Sequence, residues 1–264
     1  MKPVSQIPAE QLIAIKYLLT DIDDTVTDGG LLPAASLAAI EQLEKAGIGV
    51  VPVTGRPAGW CDHIARMWHV RGVVGENGAF YFSYDRQRRI MHQRFAKDDK
   101  EREMDRIRLN RIKHLILAQV PGAGVSSDQE YRIADLAIDF CEDVPALSSR
   151  EIQQIVRIFE ESGATAKVSS IHVNGWFGSY DKLSMTKTCL NDLFGVNIER
   201  DSEKVAFIGD SPNDSPLFSY FKNSIGVANA ADFNLESPPN WITDKRSSRG
   251  FIEFAELLLE AQGS

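Results

Sequence analysis

Apolar runs that stop on clusters of polar groups constrain this chain most. Lys16-Tyr-Leu-Leu-Thr20 stops on Asp21-Ile22-Asp23-Asp24-Thr25. Ile48 to Pro52 leads into Thr54-Gly55-Arg56, and Lys204-Val-Ala-Phe-Ile208 stops on Gly209-Asp210-Ser211-Pro212-Asn213-Asp214. Short runs without alternation read as strands buried on both faces, the pattern of a parallel sheet. Helical stretches lie between them. Pro33 to Ala46 carries Leu37, Ile40 and Leu43 on one face, with Pro in the first turn and Gly47 past the end. Ala58 to Met67 reads as the next helix and Gly72 to Gly75 as a third short strand. Alternation of this kind predicts right-handed parallel βαβ units.

The alternation then breaks. Ala79 to Ser83 and Ile90 to Gln93 read as a hairpin whose basic tip, Arg86 to Arg89, is solvated. Asp98 to Val120 is helical, with Met104, Ile107, Ile112, Leu115 and Ile116 as its apolar positions, and Pro121-Gly-Ala-Gly124 ends it. Arg132 to Phe140, Thr165 to Ser169 and Ile171 to Gly175 read as strands, and Ser148 to Ser162 as an amphipathic helix. This α+β block divides the chain into a discontinuous core domain, residues 1–83 and 181–264, and an inserted domain, residues 84–180. Helix and strand signals resume with Lys182 to Phe194, Ser224 to Val227, Trp241 to Thr243 and Gly250 to Glu260.

Open parallel sheets bind ligands at the carboxyl ends of their strands, so the three polar tips meet at one crevice. Carboxylates crowded there repel and stay ionised only with positive charge among them. Oxygen donors without nearby His or Cys point to Mg²⁺. Its ligands would be Asp21, the Asp23 carbonyl and Asp210, with Asp214 orienting them from outside.

Asp21-Ile22-Asp23-Asp24-Thr25, Thr54-Gly55-Arg56, Lys182 and Gly209-Asp210-Ser211-Pro212-Asn213-Asp214 resemble, in order, the four motifs of the haloacid dehalogenase superfamily. Intervals of 33, 128 and 28 residues separate Asp21, Thr54, Lys182 and Asp210. The long one falls where the α+β-capped, sugar-phosphatase-like type IIB subclass carries its cap. Gly75-Glu76-Asn77-Gly78-Ala79 is also similar to that subclass. The resemblance implies an α/β fold, a Rossmann-like parallel-sheet core with an inserted α+β cap.

It further implies that Asp21 is the nucleophile that forms an aspartyl-phosphate and that Asp23 is the acid and base. In a strand, residues i and i+2 share a face, which would let both carboxyls approach one phosphoryl group. Thr54, the N–H groups of Ile22 and Gly55, Arg56 and Asn213 would bind the substrate's phosphate end, and Lys182 would neutralise charge. Lys187 is the alternative lysine, five residues along the helix and pointing about 140° away. Asp24 has a structural role.

These features predict an Mg²⁺-dependent phosphatase for a small phosphorylated metabolite, with a sugar phosphate as the first choice. A hexose-phosphate phosphomutase and a non-catalytic Mg²⁺-binding protein are the alternatives. In the cap, Arg132, Lys167, His172, Asn174 and Trp176 are candidate substrate contacts. A net charge of −8 argues against nucleic acid or an anionic membrane as partner. Cys61, Cys141 and Cys189 form no CxxC pair and suit a reducing compartment. No secretory pattern or membrane-length apolar run is found, so the expected location is cytoplasmic. No P-loop, dinucleotide or nucleophile-elbow motif occurs. Oligomeric state is not legible in the sequence.

Overall fold

The computed structural model describes residues 1–169 and 171–263. Its strands are β1 (Lys2–Pro3), β2 (Tyr17–Thr20), β3 (Gly49–Pro52), β4 (Val73–Gly75), β5 (Phe80–Asp85), β6 (Ile90–Phe95) and β7 (Gly124–Val125). They continue with β8 (Leu136–Asp139), β9 (Thr165–Val168), β10 (His172–Trp176), β11 (Val205–Gly209), β12 (Asn223–Gly226) and β13 (Trp241–Ile242). The helices are α1 (Ala9–Ala14), α2 (Ala34–Lys45), α3 (Ala58–Met67), α4 (Asp99–Gln119), α5 (Ser149–Glu161), α6 (Lys182–Phe194), α7 (Ser215–Tyr220) and α8 (Ser247–Ala261).

Six strands form the core sheet in the order β1-β13-β12-β11-β2-β3, all neighbours parallel. The unalternating strand sequences follow from burial on both faces. Leu18, Val50, Ala206 and Ile208 pack with Ile40 and Leu43 of α2 and Phe251 and Phe254 of α8. Their neighbours Leu19, Val51 and Phe207 point the other way, to Met185, Cys189 and Leu190 of α6 and Leu217 of α7. Leu37, expected on the inward face of α2, is instead exposed.

Strand β4 does not continue the parallel series. It pairs antiparallel with β5, which pairs antiparallel with β6. A single parallel bridge, Val53 to Val74, joins it to the core sheet. The reason is local: Glu76, Asn77 and Gly78 have φ values of 42°, 54° and 101°. Three successive left-handed residues reverse the chain at once, leaving no room for a crossover helix. The hairpin is rooted in the core through Phe80 and Phe82, whose ring centroids stack 4.4 Å apart. At its tip Arg86, although exposed, donates to the carbonyls of Arg66 (2.8 Å) and Trp68 (2.7 Å) at the end of α3.

A third sheet, the antiparallel β7-β8-β10-β9, carries α4 and α5. Leu109, Ile112, Ile116, Ile138, Ile155, Phe159 and Val173 are its core. The inward face of α4 differs from the sequence expectation. Met104, Ile107 and Leu115 are exposed, and the buried stripe is Asp105, Leu109, Ile112 and Ile116. A carboxylate heads that stripe because Lys97 and Arg108 hold it. Capping boxes at Asp98 and Ser148 start the two helices. Strand β8 begins later than expected because the N–H groups of Ile133, Ala134 and Asp135 bond to the Glu76 carboxylate rather than to a ladder.

Gly78 sets the junction between the turn after β4 and the start of α6. A Cβ there would lie 2.0 Å from the Asp181 carbonyl oxygen, on a backbone already at φ +101°. Gly78→Ala should therefore lower unfolding stability by ~2 kcal/mol or more, measured by urea denaturation.

Candidate active site

Strands β2 and β11 are neighbours with Thr20 opposite Ile208. Asp21 and Asp210 consequently emerge side by side at the carboxyl edge of the sheet. Helix α6 is capped by the Asp181 side chain, which accepts from Ser184 N–H at 2.7 Å, and its first residue is Lys182. The Lys182 ammonium lies 2.8 Å from Asp21 Oδ1 and 2.9 Å from Asp214 Oδ1, with all three side chains buried. Lys187 lies elsewhere, 4.0 Å from the centre of the Tyr220 ring. Asp214 Oδ2 accepts from the N–H groups of Asp210 (3.1 Å) and Ser211 (3.3 Å). Asn229, a residue the sequence reading missed, donates to Asp210 Oδ2 at 3.2 Å and to the Asp24 carbonyl at 3.1 Å.

One oxygen from each of Asp21, Asp210 and Asp214 lies within 4.8 Å of the others. Three buried carboxylates thus face one ammonium. Burial pushes the Asp21 carboxyl up to about 7, with Asp214 and Asp23 acting the same way and Lys182 opposing. Burial, then Asp21 and Asp214, push Asp210 up to about 9. Burial works against the charge on Lys182, but Asp21 and Asp214 outweigh it and raise its pKa. An all-oxygen donor set short of positive charge fits a hard divalent cation.

Comparison with known proteins agrees with this geometry. The haloacid dehalogenase-like hydrolase family matches residues 18–171 and 188–254. The chain belongs to this family. A phosphoglycolate phosphatase 1 of Saccharolobus solfataricus is 26% identical over 252 residues, 94% of this chain and 97% of that protein. The structure of Thermoplasma acidophilum 0175 superposes with a TM-score of 0.70 at 18% identity, covering 92% of this chain and 99% of that one. The sucrose-phosphatase of Synechocystis sp. PCC6803, solved with sucrose and phosphate, gives 0.63 at 16% identity, covering 92% and 97%. Among the described residues no helix is long and apolar enough to cross a membrane.

In this hydrolase, Asp23 is not set by strand alternation. Strand β2 ends at Thr20, so Asp21 and Asp23 lie in the turn beyond it, where Asp24 has φ 53°. The Ile22 carbonyl closes that turn by accepting from Val26 (2.9 Å) and Thr27 (3.0 Å). The Asp23 carboxylate is gripped by Arg56, at 2.8 Å from Nη2 and 3.0 Å from Nε. Thr54 is buried and its Oγ1 accepts from Arg56 N–H at 3.0 Å. The Gly55 carbonyl accepts from Arg132 Nη1 at 3.0 Å. The Asn213 amide oxygen accepts from Ser211 Oγ at 2.8 Å.

A single cleft brings Asp21, Asp23, Gly55, Arg56, Asp210 and Asn213 of the core against Arg132, His172 and Asn174 of the insert. Two other candidates from the insert lie outside it. Lys167 is exposed. Trp176 is buried, stacked on Tyr180, with Nε1 donating to the Tyr180 carbonyl at 3.2 Å. Glu76 and Asn77 were noted in the sequence only as part of a pattern, yet Asn77 lines the cleft. Glu76 ties the two sides together: its carboxylate accepts from Ala58 of α3 (2.9 Å) and from Ala134 of the insert (2.6 Å).

The acid cluster makes a pH-dependent prediction. Asp21 and Asp210 have folded pKa values above the ordinary carboxylate range. Between their unfolded and folded pKa values the folded state binds more protons. Metal-free stability should therefore fall as pH rises to about 9. A cation binding the ionised cluster should offset that loss. Thermal unfolding should show a larger gain in Tm from Mg²⁺ at about pH 8 than at about pH 6. An equal gain at both would contradict a metal site at these acids.

Proposed function

We propose that this hydrolase is a Mg²⁺-dependent phosphatase that cleaves a phosphomonoester of a small metabolite, a sugar phosphate by preference, through an aspartyl-phosphate on Asp21. The observation that carries the reading is the Lys182 ammonium held between Asp21 and Asp214, beside Asp210. It leaves an oxygen nucleophile at the cleft floor with its charge partly balanced. The names of the relatives, phosphoglycolate phosphatase and sucrose-phosphatase, support the reaction class.

In this reading Asp21 Oδ attacks phosphorus and the bond from phosphorus to the alcohol oxygen breaks. Asp23 gives its proton to the leaving oxygen. A water then attacks the acyl phosphate, and Asp23 takes the proton that water loses. Arg56 exchanges Asp23 for a phosphate oxygen, which frees the carboxyl for that transfer. Thr54, Asn213 and the N–H groups of Ile22 and Gly55 hold the remaining phosphate oxygens, and Lys182 stabilises the charge that develops. Asp21, Asp210 and the Asp23 carbonyl, oriented with Asp214, would hold Mg²⁺, which supplies Lewis-acid stabilisation of the phosphoryl oxygens when bound. The core, residues 1–83 and 181–264, transfers the phosphoryl group. The insert, residues 84–180, selects the alcohol, and the β5–β6 hairpin, which straddles the boundary at residues 83 and 84, roots it on the core.

Removing Mg²⁺ with EDTA should abolish phosphate release from p-nitrophenyl phosphate. Lys182→Ala should lower turnover by roughly 10² or more. Activity that survives complete chelation would exclude the metal assignment. A phosphomutase would instead accumulate an isomeric sugar phosphate, so product analysis by phosphorus NMR separates the two.

The two-carboxylate mechanism has its own signature. Nitrophenolate leaves without a proton, whereas water attacking the acyl phosphate needs a base. Asp23→Asn should therefore give a burst of nitrophenolate followed by slow turnover, with one phosphoryl group on Asp21 found by mass spectrometry. Asp21→Asn should show neither burst nor turnover. Two successive in-line displacements retain configuration at phosphorus, so inversion with a substrate made chiral at phosphorus by oxygen isotopes would rule out the covalent route.

A further inference from the structure

On the phosphatase reading, the alcohol half of the substrate faces the insert side of the cleft. We propose that this side accepts an uncharged, hydroxyl-bearing alcohol and rejects one that carries a carboxylate, with Asn77 and His172 as the groups that read the hydroxyls. The proposal rests on that reading and on two independent features of the cleft.

The first is that its cations are already committed. Arg132, with a side chain only 1% exposed, donates from Nε to Asp128 Oδ1 at 2.9 Å and from Nη2 to Asp128 Oδ2 at 3.2 Å. Its Nη1 donates to Asp135 Oδ1 at 3.0 Å and to the Gly55 carbonyl at 3.0 Å. Arg56 holds Asp23, and its Nη1 also has Asp128 Oδ2 and Glu142 Oε1 at 3.7 Å each. Two guanidinium groups therefore face Asp23, Asp128, Asp135 and Glu142. His172 adds no third cation: burial, then the nearby Arg132, hold its pKa down at about 4. If Arg56 turns to the phosphate, Asp128 and Glu142 lose part of their compensation and the alcohol side becomes more negative still. A carboxylate arriving there must leave water beside like charges. A site that discriminates by repulsion needs nothing further to reject it.

The second feature is a pair of unsatisfied polar atoms. Asn77 Nδ2 and His172 Nε2 are buried without a hydrogen-bond partner, although both residues line the cleft. His172 Nε2 has Glu142 Oε2 at 2.9 Å, but out of hydrogen-bond geometry. Asn77 is 5% exposed and His172 3%. A buried polar atom left unpaired is costly to the folded state, so unpaired atoms on residues that line a cleft are placed to take up a ligand's hydrogen bonds. A hydroxyl donates and accepts at once and can satisfy a neutral imidazole and an amide together. The relatives named for phosphoglycolate release an acid, glycolate. This cleft is built for a different alcohol.

Steady-state kinetics with Mg²⁺ on matched pairs tests the proposal. The pairs are glycerol phosphate against phosphoglycerate and hydroxyethyl phosphate against phosphoglycolate, with p-nitrophenyl phosphate as the reference ester. The wild type should favour the uncharged member of each pair by about tenfold or more in kcat/KM. Glu142→Gln, at a partly exposed position, should narrow that ratio by about threefold or more, chiefly through a lower KM for the acid. Acids cleaved as well as the alcohols would overturn the selection while leaving the phosphatase standing. So would a ratio unmoved in a Glu142→Gln protein shown to be folded by circular dichroism. Failure to hydrolyse p-nitrophenyl phosphate would overturn the phosphatase reading and the selection with it.

Discussion

The ammonium of Lys182 is the charge on which the core of this hydrolase is organised. Its partners come from distant parts of the chain: Asp21 is 161 residues away and Asp214 is 32. Each carboxylate is buried where isolated ionisation is unfavourable, and the lysine is buried where its own charge is. The arrangement holds because each group answers the other, and removing one member of such a pair typically costs about 3–5 kcal/mol. The geometry needed is exacting. β2 must lie next to β11, and α6 must begin at the carboxyl edge of both. The insert must therefore return the chain close to where it left. The contact of Gly78 with the Asp181 carbonyl marks that closure, with the outgoing and returning strands of the chain touching at the first turn of α6.

A second set of buried charges fixes the insert against the core. Glu76 on the core side receives N–H groups from Ile133, Ala134 and Asp135, and Arg132 in the same segment reaches back to the Gly55 carbonyl. Burial, then Asp135, push the Glu76 carboxyl up to about 7. The interface thus combines directional hydrogen bonds to charged groups with apolar contacts, Met91, Phe95 and Ala134 packing on the core cluster. Such bonds are short, orientation-dependent and stronger than neutral ones. They place the insert's side chains over the strand tips in one register. Through Gly55 they also link the insert to the loop that follows β3, so the two sides of the cleft are mechanically one.

The parts of this structure legible in the sequence are those whose physics is local. Buried parallel strands announce themselves as unalternating runs, and their tips carried the acids because ligands gather where parallel strands end. A helix with start and stop signals, α2 between Pro33 and Gly47, was equally plain. What was not legible depends on partners far away. The buried stripe of α4 begins with Asp105, which no hydrophobic pattern selects, because its burial is permitted only by Lys97 and Arg108. The pairing of Asp23 with Arg56 spans 33 residues and overrides strand alternation. Asn229 lies in the short helical turn Ala228–Asp232, where no motif drew attention to it. Glu76 and Asn77 sat inside a noticed pattern, but their tasks become visible only once residues 133–135 and 172 are brought beside them.

The same two residues show why that pattern takes the form it does. A carboxamide and a carboxylate held at φ 54° and φ 42° occupy a region that side chains with a Cβ enter at a cost of about 1–3 kcal/mol each. Asn tolerates it better than most residues, and Gly78, at φ 101°, could not be replaced by either. Successive left-handed residues fan their side chains in different directions within one tight turn. Glu76 is sent toward α3 and the insert, Asn77 into the cleft, and Gly78 is left bare so that the start of α6 can approach. An ordinary β-turn would reverse the chain at less cost but would not deliver all three. The strain is offset by the N–H groups collected on Glu76. Chain reversal, docking of the insert and one unpaired donor in the cleft are therefore consequences of a single local conformation.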